Sequence, residues 1–192
     1  MFTDESRFTL YQHDGRQLVR RRQGEVMVEQ CVDANHGRRV PSIMVWGTMH
    51  HGGKSDLVVV DGNLAQMQYI DILRDTCLPF ARAVFRDNFV LVQDNAPAHR
   101  AHRTRYFLAQ EQVEVMDWPP CSPDMNPIEH LWDQMGKKLR RIEVLPRNLV
   151  ELRAAVLQAW DQVDDERLGR LVDSMPRRVR ALRNARGGNT RY

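Results

Sequence analysis

At 192 residues the chain is long enough for one well-packed domain and short for two. Its 42% apolar and 28% charged residues are those of a globular protein, and it lacks the run of eighteen apolar residues that a membrane-spanning helix needs. The net charge is only +3, but the basic residues are clustered, which suits a polyanion partner better than a membrane surface.

Met1–Tyr11 reads as a strand, with Phe2, Phe8, Leu10 and Tyr11 around the polar centre Asp4-Glu5-Ser6-Arg7. Asp14-Gly15 is a hairpin signal, and Leu18–Arg22 returns as a second strand. Gln23–Val40 is a polar connection long enough for a functional loop. Ser42–Met49 is a third strand, closed by His50-His51-Gly52-Gly53, and Leu57–Val60 a short further one. Ala65–Cys77 is helical, with Met67, Ile70 and Leu73 as an apolar stripe and Pro79 as its nearby stop. The apolar run Phe89–Val92 then reads as a buried strand that Asn95 and Pro97 halt.

His99–Gln110 follows as a helix and Val113–Met116 as a short edge strand. Four prolines in Pro119–Pro127 stiffen the next loop. Asn126-Pro127 reads as an N-cap followed by proline at the first helical position. From there the chain is helical: Pro127–Arg141, Asn148–Val163, about Glu166–Asp173 and Met175–Ala185. The order predicts an α/β domain over residues 1–192, with a mixed-sheet core at 1–146 and C-terminal helices at 147–192. Three antiparallel strands, a crossover and a parallel extension form the ribonuclease H-like arrangement. In such a sheet the first strand can lie beside the Phe89 strand, which would set Asp4 next to Asp94.

Two acids sit at element ends. Asp94 closes a strand at its C-terminal edge, where open α/β sheets place ligands. Glu129 is held in the first turn of a helix, where the dipole favours a carboxylate. Asn126-x-x-Glu129 also matches a capping box, in which the glutamate only bonds the cap amide. A third acid, Asp4, lies in the first strand.

Phe2-Thr3-Asp4-Glu5-Ser6-Arg7-Phe8, Gln93-Asp94-Asn95-Ala96-Pro97-Ala98-His99 and Ser122-Pro123-Asp124-Met125-Asn126-Pro127-Ile128-Glu129 closely resemble the three catalytic motifs of Tc-like transposases, in the Tc/mariner superfamily. Thirty-four residues separate Asp94 from Glu129, the spacing of the Tc branch. Ser42–Gly47 and Gly187–Tyr192 resemble the family as well. The resemblance implies a metal-dependent DNA endonuclease and strand transferase for DNA transposition and integration. It assigns Asp4, Asp94 and Glu129 as catalytic residues and metal ligands, with Asp4 bridging two Mg²⁺ ions that Mn²⁺ can replace. DNA strand transfer needs such a set, because two hard cations about 3.5–4 Å apart stabilise attacking and leaving oxygens together. Transposon ends and target DNA would be the partners, an active homodimer the assembly, and the nucleus the location. No small-molecule cofactor is expected. The alternatives are an inactive or domesticated remnant that binds DNA, and a hydrolase of RNA–DNA hybrids.

Other residues compete for these roles. Glu5 is expected to face away from Asp4 on a regular pleat, Asp124 to be a turn or cap acid, and Asp133 to be the substitute for Glu129. Asn95 and His99 are candidates for support of the site. His99 would orient Asp94 or contact a phosphate, with a purely structural histidine as the bland alternative. Zinc sites at Asp94, His99 and His102 or at His50-His51 lack a third matched ligand or cysteine. Trp132 and Trp160 have the spacing of core residues. Cys31, Cys77 and Cys121 are scattered, which argues for a reducing compartment and against a disulfide frame.

Arg20–Arg22, Arg100–Arg105, Lys137–Arg141 and the acid-free stretch Ser174–Tyr192 are the basic clusters. Arg100, Arg103, Lys137, Lys138, Arg177, Arg178 and Arg180 are the candidate DNA contacts. By resemblance, Gln23–Val40 corresponds to a loop that reaches towards a partner subunit; an ordinary surface loop is the simpler reading. No secretory signal is expected at the N-terminus. Only three residues precede Asp4, whereas the resemblance implies an upstream pair of helix-turn-helix modules. The expectation is non-specific, metal-dependent nicking without excision of an element.

Overall fold

The computed structural model describes residues 1–10, 40–120, 122–188 and 190. The Asp14-Gly15 hairpin, the Leu18–Arg22 strand, nearly all of the Gln23–Val40 connection and residues Cys31, Cys121, Asn189, Arg191 and Tyr192 lie outside the described residues.

The first two strands form the spine of the sheet. β1 (Phe2–Thr9) pairs antiparallel with β2 (Ser42–His50) over its whole length, with Asp4 opposite Gly47 and Glu5 opposite Trp46. β2 turns back through His51-Gly52 into β3 (Gly53–Lys54) and also pairs antiparallel with β4 (Val58–Val60). On the other edge, β5 (Val90–Leu91) pairs parallel with β6 (Glu114–Val115). A parallel bridge from Phe2 to Val92 joins β5 to β1. It is secured by Thr3 N–H to Val92 O at 2.9 Å and Val92 N–H to Met1 O at 2.8 Å. The strand order is therefore β3 and β4, β2, β1, β5, β6, the mixed ribonuclease H-like sheet that the element order predicts.

Period-two alternation divides β1 and β2 between two cores. Phe8, Ile43, Val45 and Met49 face one side, against α5 (Pro127–Leu139), α6 (Leu149–Asp161) and α7 (Asp165–Val172). Trp46 faces the other, with α1 (Gln66–Ile72), the following π-turn Leu73–Cys77, α3 (Pro97–Arg100) and α4 (His102–Gln110); α2 (Leu78–Phe85) continues from that turn. Ile128, Leu131, Trp132, Met135 and Leu139 make the buried stripe of α5, as their helical spacing requires. Trp132 and Trp160 are 4% and 1% exposed, core residues as expected. Leu152, Val156, Ala159 and Trp160 of α6 enter the same core. The chain then closes with α8 (Met175–Asn184).

Two boundaries differ from expectation. Pro79 does not stop the helix that begins at α1; a π-turn at Leu73–Cys77 carries it on to Phe85. Proline lacks an N–H and crowds the carbonyl four residues back. The wider turn, closed by Leu78 N–H to Leu73 O, accommodates both. The expected helix His99–Gln110 begins earlier, at Pro97, and is broken at Ala101, whose φ of −58° and ψ of 143° are extended. Thr104 Oγ1 donates to the Ala98 carbonyl at 2.7 Å and locks that corner.

Candidate active site

Three chain segments deliver carboxylates to one cavity of about 420 Å³, lined by Asp4, Asp94, Asn95, Asn126, Glu129 and the Trp118–Pro120 stretch, among others. Asp4 comes from the middle of the paired β1. Asp94 comes from the extended segment just beyond β5, where Val92 makes the last sheet contact. Glu129 comes from the first turn of α5.

Local chemistry holds each one. Asp4 is 9% exposed, and its Oδ2 accepts from Trp132 Nε1 at 2.9 Å. Asp94 makes an Asx turn, its Oδ1 accepting from Ala96 N–H at 2.8 Å. The same Oδ1 lies 2.7 Å from His99 Nδ1. Asn126 caps α5 by accepting from Ile128 N–H at 3.4 Å and donates through Nδ2 to the Thr3 carbonyl at 3.1 Å. One side chain thus starts the helix of Glu129 and ties it to the strand of Asp4. Glu129 lines the cavity; the cap is made by Asn126 without it, so the capping-box role does not describe this residue.

Crowded acids perturb one another. Burial and then the neighbouring Glu129 and Glu5 push Asp4 up to about 8, against the Trp132 hydrogen bond. Burial, then Asp94, also raises Glu129. Asp94 is lowered, first by its His99 hydrogen bond. Asp4 and Glu129, both raised, face one cavity with Asp94, whose charge His99 offsets, and such a set of carboxylates fits a hard divalent cation. All three donors are oxygens.

The competing residues fall elsewhere. Asp133 is exposed and paired with Lys137 at 2.6 Å, and it does not line the cavity that Glu129 lines. Asp124 accepts from Thr190 Oγ1 at 2.7 Å. His99 is 2% exposed with both ring nitrogens engaged, Nδ1 by Asp94 and Nε2 by Glu5 at 3.1 Å; this removes the expected option of a phosphate contact. His102 is exposed and stacks on Tyr106. His50 packs against Phe80 and Phe85, while His51 pairs with Asp173. Neither zinc arrangement is assembled among these residues. Glu5, Asp94 and His99 form the one tight cluster of metal-ligating types among the described residues, but each histidine nitrogen in it already faces a carboxylate.

Asn95 borders the cavity and donates through Nδ2 to the Trp118 carbonyl at 2.7 Å, bracing the proline-rich loop. Arg100, Arg103, Lys137, Lys138, Arg177 and Arg180 are exposed. Arg100 lines a second groove that meets the acid cavity at Asp94, Asn95, Trp118 and Pro120. Arg178 is a correction: it is 1% exposed. Its Nε donates to Ser174 Oγ at 2.8 Å and its Nη1 to the Asp124 carbonyl at 2.6 Å. An arginine run does not reveal which member turns inward, and this one ties α8 to the loop before α5. Trp132 and Asn126 were legible only as core and cap. Their contacts to β1 span 128 and 123 positions, which no local pattern records.

Residues 1–153 match the family model described as DDE superfamily endonuclease. The chain is 34% identical over 194 aligned residues to the Tc1 transposase of Caenorhabditis elegans and 33% identical to the Tcb1 transposase of Caenorhabditis briggsae. Both alignments cover 100% of this chain and 70% of the relative. Among solved structures, the Mos1 transposase paired-end complex with left transposon end superposes with a TM-score of 0.75 at 20% identity, covering 98% of this chain and 55% of that one. The Mos1 transposase catalytic domain with raltegravir and Mg gives 0.67 at 22%, covering 77% of each chain. These superpositions establish the ribonuclease H-like fold. With a family model matched over most of its length and whole-chain relatives above thirty per cent identity, the chain belongs to the DDE superfamily endonucleases, among the Tc1-like transposases.

Proposed function

We propose that residues 1–192 act as one catalytic domain of a cut-and-paste DNA transposase, cleaving and joining DNA strands with Asp4, Asp94 and Glu129 as its catalytic carboxylates. The observation that carries this reading is the convergence of these three acids, from a strand, a strand end and a helix start, on one cavity. Transposon ends and target DNA would be the substrates, two Mg²⁺ or Mn²⁺ ions the cofactor, a homodimer the active form and the nucleus its place. Support comes from relatives named as transposases and from Mos1 structures described with Mg, Mn and a transposon end.

The chain's own residues have separable tasks. Bound cations would supply Lewis-acid stabilisation to the attacking and leaving oxygens of the phosphodiester. Asp4, Asp94 and Glu129 would hold them. Trp132 fixes Oδ2 of Asp4. Ala96 and His99 together fix Oδ1 of Asp94, leaving Oδ2 without a partner among the described residues. Asn126 sets the distance between β1 and the first turn of α5. Exposed arginines beside the cavity, Arg100 first, would position the DNA through phosphates, which places a duplex without reading its sequence.

The test is incubation of the purified chain with supercoiled plasmid. Nicked circles formed with Mg²⁺ or Mn²⁺ and absent with EDTA are expected. DNA binding without nicking in either metal would support the alternative of an inactive, DNA-binding remnant.

A further inference from the structure

Glu5 is a partly buried acid that the proposed chemistry does not use. It follows Asp4 directly, yet the pleat turns it to the opposite side of the sheet, in register with the buried Trp46. Its side chain is 14% exposed, and Oε1 lies 3.1 Å from His99 Nε2. It does not line the acid cavity.

His99 spans the space between the two acids. It belongs to the single turn α3, after the irregular segment that carries Asp94, and such a turn has little rigidity of its own. Nδ1 and Nε2 point away from each other on the ring, so holding one nitrogen fixes the aim of the other. Nε2 is held by Glu5, on the fully paired β1; Nδ1 then meets Asp94 Oδ1 at 2.7 Å. Tyr69 braces the same assembly. Its ring packs on His99 with centroids 4.2 Å apart, and its hydroxyl donates at 2.6 Å to Oε1 of Gln93, the residue before Asp94. Asp94 itself is about half exposed, so its protein partners among the described residues lie on its inner side.

We propose that Glu5 is a positioning residue for Asp94, acting through the His99 ring to hold the second carboxylate at the cavity. The sheet strand that supplies the first acid thereby sets the second from its opposite face. This rests on the proposed metal-dependent cleavage, and it makes β1 the common reference for two carboxylates that different segments contribute. Partners of this kind, one step removed from a ligand, alter metal affinity or activity by about 10–100-fold when removed.

The experiment compares three variants of the full chain, each read by its Mn²⁺ titration (calorimetry) and by plasmid nicking with kcat separated from KM. Glu5→Gln keeps an acceptor oxygen at the same reach and should stay within about threefold of wild type. Glu5→Met keeps the volume and loses the acceptor. Glu5→Asp keeps the charge but falls short of Nε2. Both should weaken Mn²⁺ binding and lower kcat about 10–100-fold, with KM for DNA within twofold. If Glu5→Met does not fold, Glu5→Asp carries the same comparison. Wild-type metal binding and kcat in a folded Glu5→Met or Glu5→Asp would overturn the proposal, and so would a loss in Glu5→Gln equal to theirs. Wild type that neither binds Mn²⁺ nor nicks DNA would instead overturn the underlying reading of the site.

Discussion

Asp4 and Gly47 face each other across the β1–β2 ladder, and the bare Cα of Gly47 leaves room for the tryptophan that holds Asp4. A Cβ at Gly47 would lie 2.8 Å from Cη2 of Trp160 and 3.1 Å from Cη2 of Trp132. The two indoles stack with centroids 5.3 Å apart. Both are large, rigid and buried, so neither can retreat without moving α5 or α6. Gly47→Ala should therefore destabilise the fold by about 1–3 kcal/mol, the usual cost of overpacking. Its nicking rate should also fall, because Trp132 shifts under Asp4. Thermal unfolding and plasmid nicking measured on the same variant check both halves; an unchanged rate in a destabilised Gly47→Ala would separate packing from the site.

Trp132→Phe tests the hydrogen bond directly. It retains a ring in the core but removes the indole donor to Asp4. A loss of about 1–3 kcal/mol is expected from an unmet buried acceptor and the smaller ring. Metal-dependent nicking should drop about tenfold or more, the scale of an outer partner's effect on a ligand. Retained activity with retained stability would mean that Asp4 needs no donor.

The crowding of acids gives a pH signature in metal-free protein. Asp4 titrates at about 8 in the folded state against an ordinary 3.8. The folded chain thus binds the extra proton between those values. The associated stability is complete below about pH 4 and is lost as pH rises through about 8. His99, raised to about 10 by Asp94 and Glu5 against its burial, has the same sign between pH 6.5 and 10. The comparison that isolates Asp4 is therefore wild type minus Asp4→Asn in EDTA. At pH 8 the variant should be more stable by on the order of 2–4 kcal/mol, and the difference should shrink by pH 5. A gap in melting temperature that is flat from pH 5 to 8 would contradict this.

Arg178 and its neighbours should separate cleanly. Arg178→Ala removes a buried guanidinium that holds Ser174 and the Asp124 carbonyl, and a cost of about 2–4 kcal/mol is expected. Arg177 and Arg180 are exposed. Replacing both with alanine should leave the melting temperature unchanged and flatten the salt dependence of DNA binding by about two units of slope. Unfolding curves together with affinities at several salt concentrations decide it. An unchanged slope in the double variant would assign those arginines to a solvated face.

Much of the architecture was legible because it is local. Alternation in Phe2–Phe8 and Ser42–Met49, the stripe of α5 and the Asn126-Pro127 start are short-range patterns, and the helices after residue 126 fall within a few residues of expectation. Asp4, Asp94 and Glu129 stood out as candidates because each sits in its own motif, and they line one cavity. What the sequence concealed is long-range or context-dependent. Glu5 reads only as the acid facing away from Asp4 until α3 is packed against β1. Arg178 reads like its neighbours until α8 docks on the loop at Asp124. Pro79 reads as a helix stop because a π-turn, closed here from Leu78 N–H to Leu73 O, has no sequence pattern of its own.

The third carboxylate tests the central claim most directly, since Glu129 and Asp133 lie one turn apart on α5 and only Glu129 lines the cavity. The measurement is the initial rate of Mg²⁺-dependent plasmid nicking by Glu129→Gln and Asp133→Asn, with wild-type folding verified for both by thermal unfolding. The predicted result is that Glu129→Gln loses at least about 100-fold, or 2.7 kcal/mol of transition-state stabilisation, while Asp133→Asn stays within about threefold of wild type. Near-wild-type nicking by Glu129→Gln, or an equal collapse in Asp133→Asn, would contradict the assignment of this cavity as the catalytic centre.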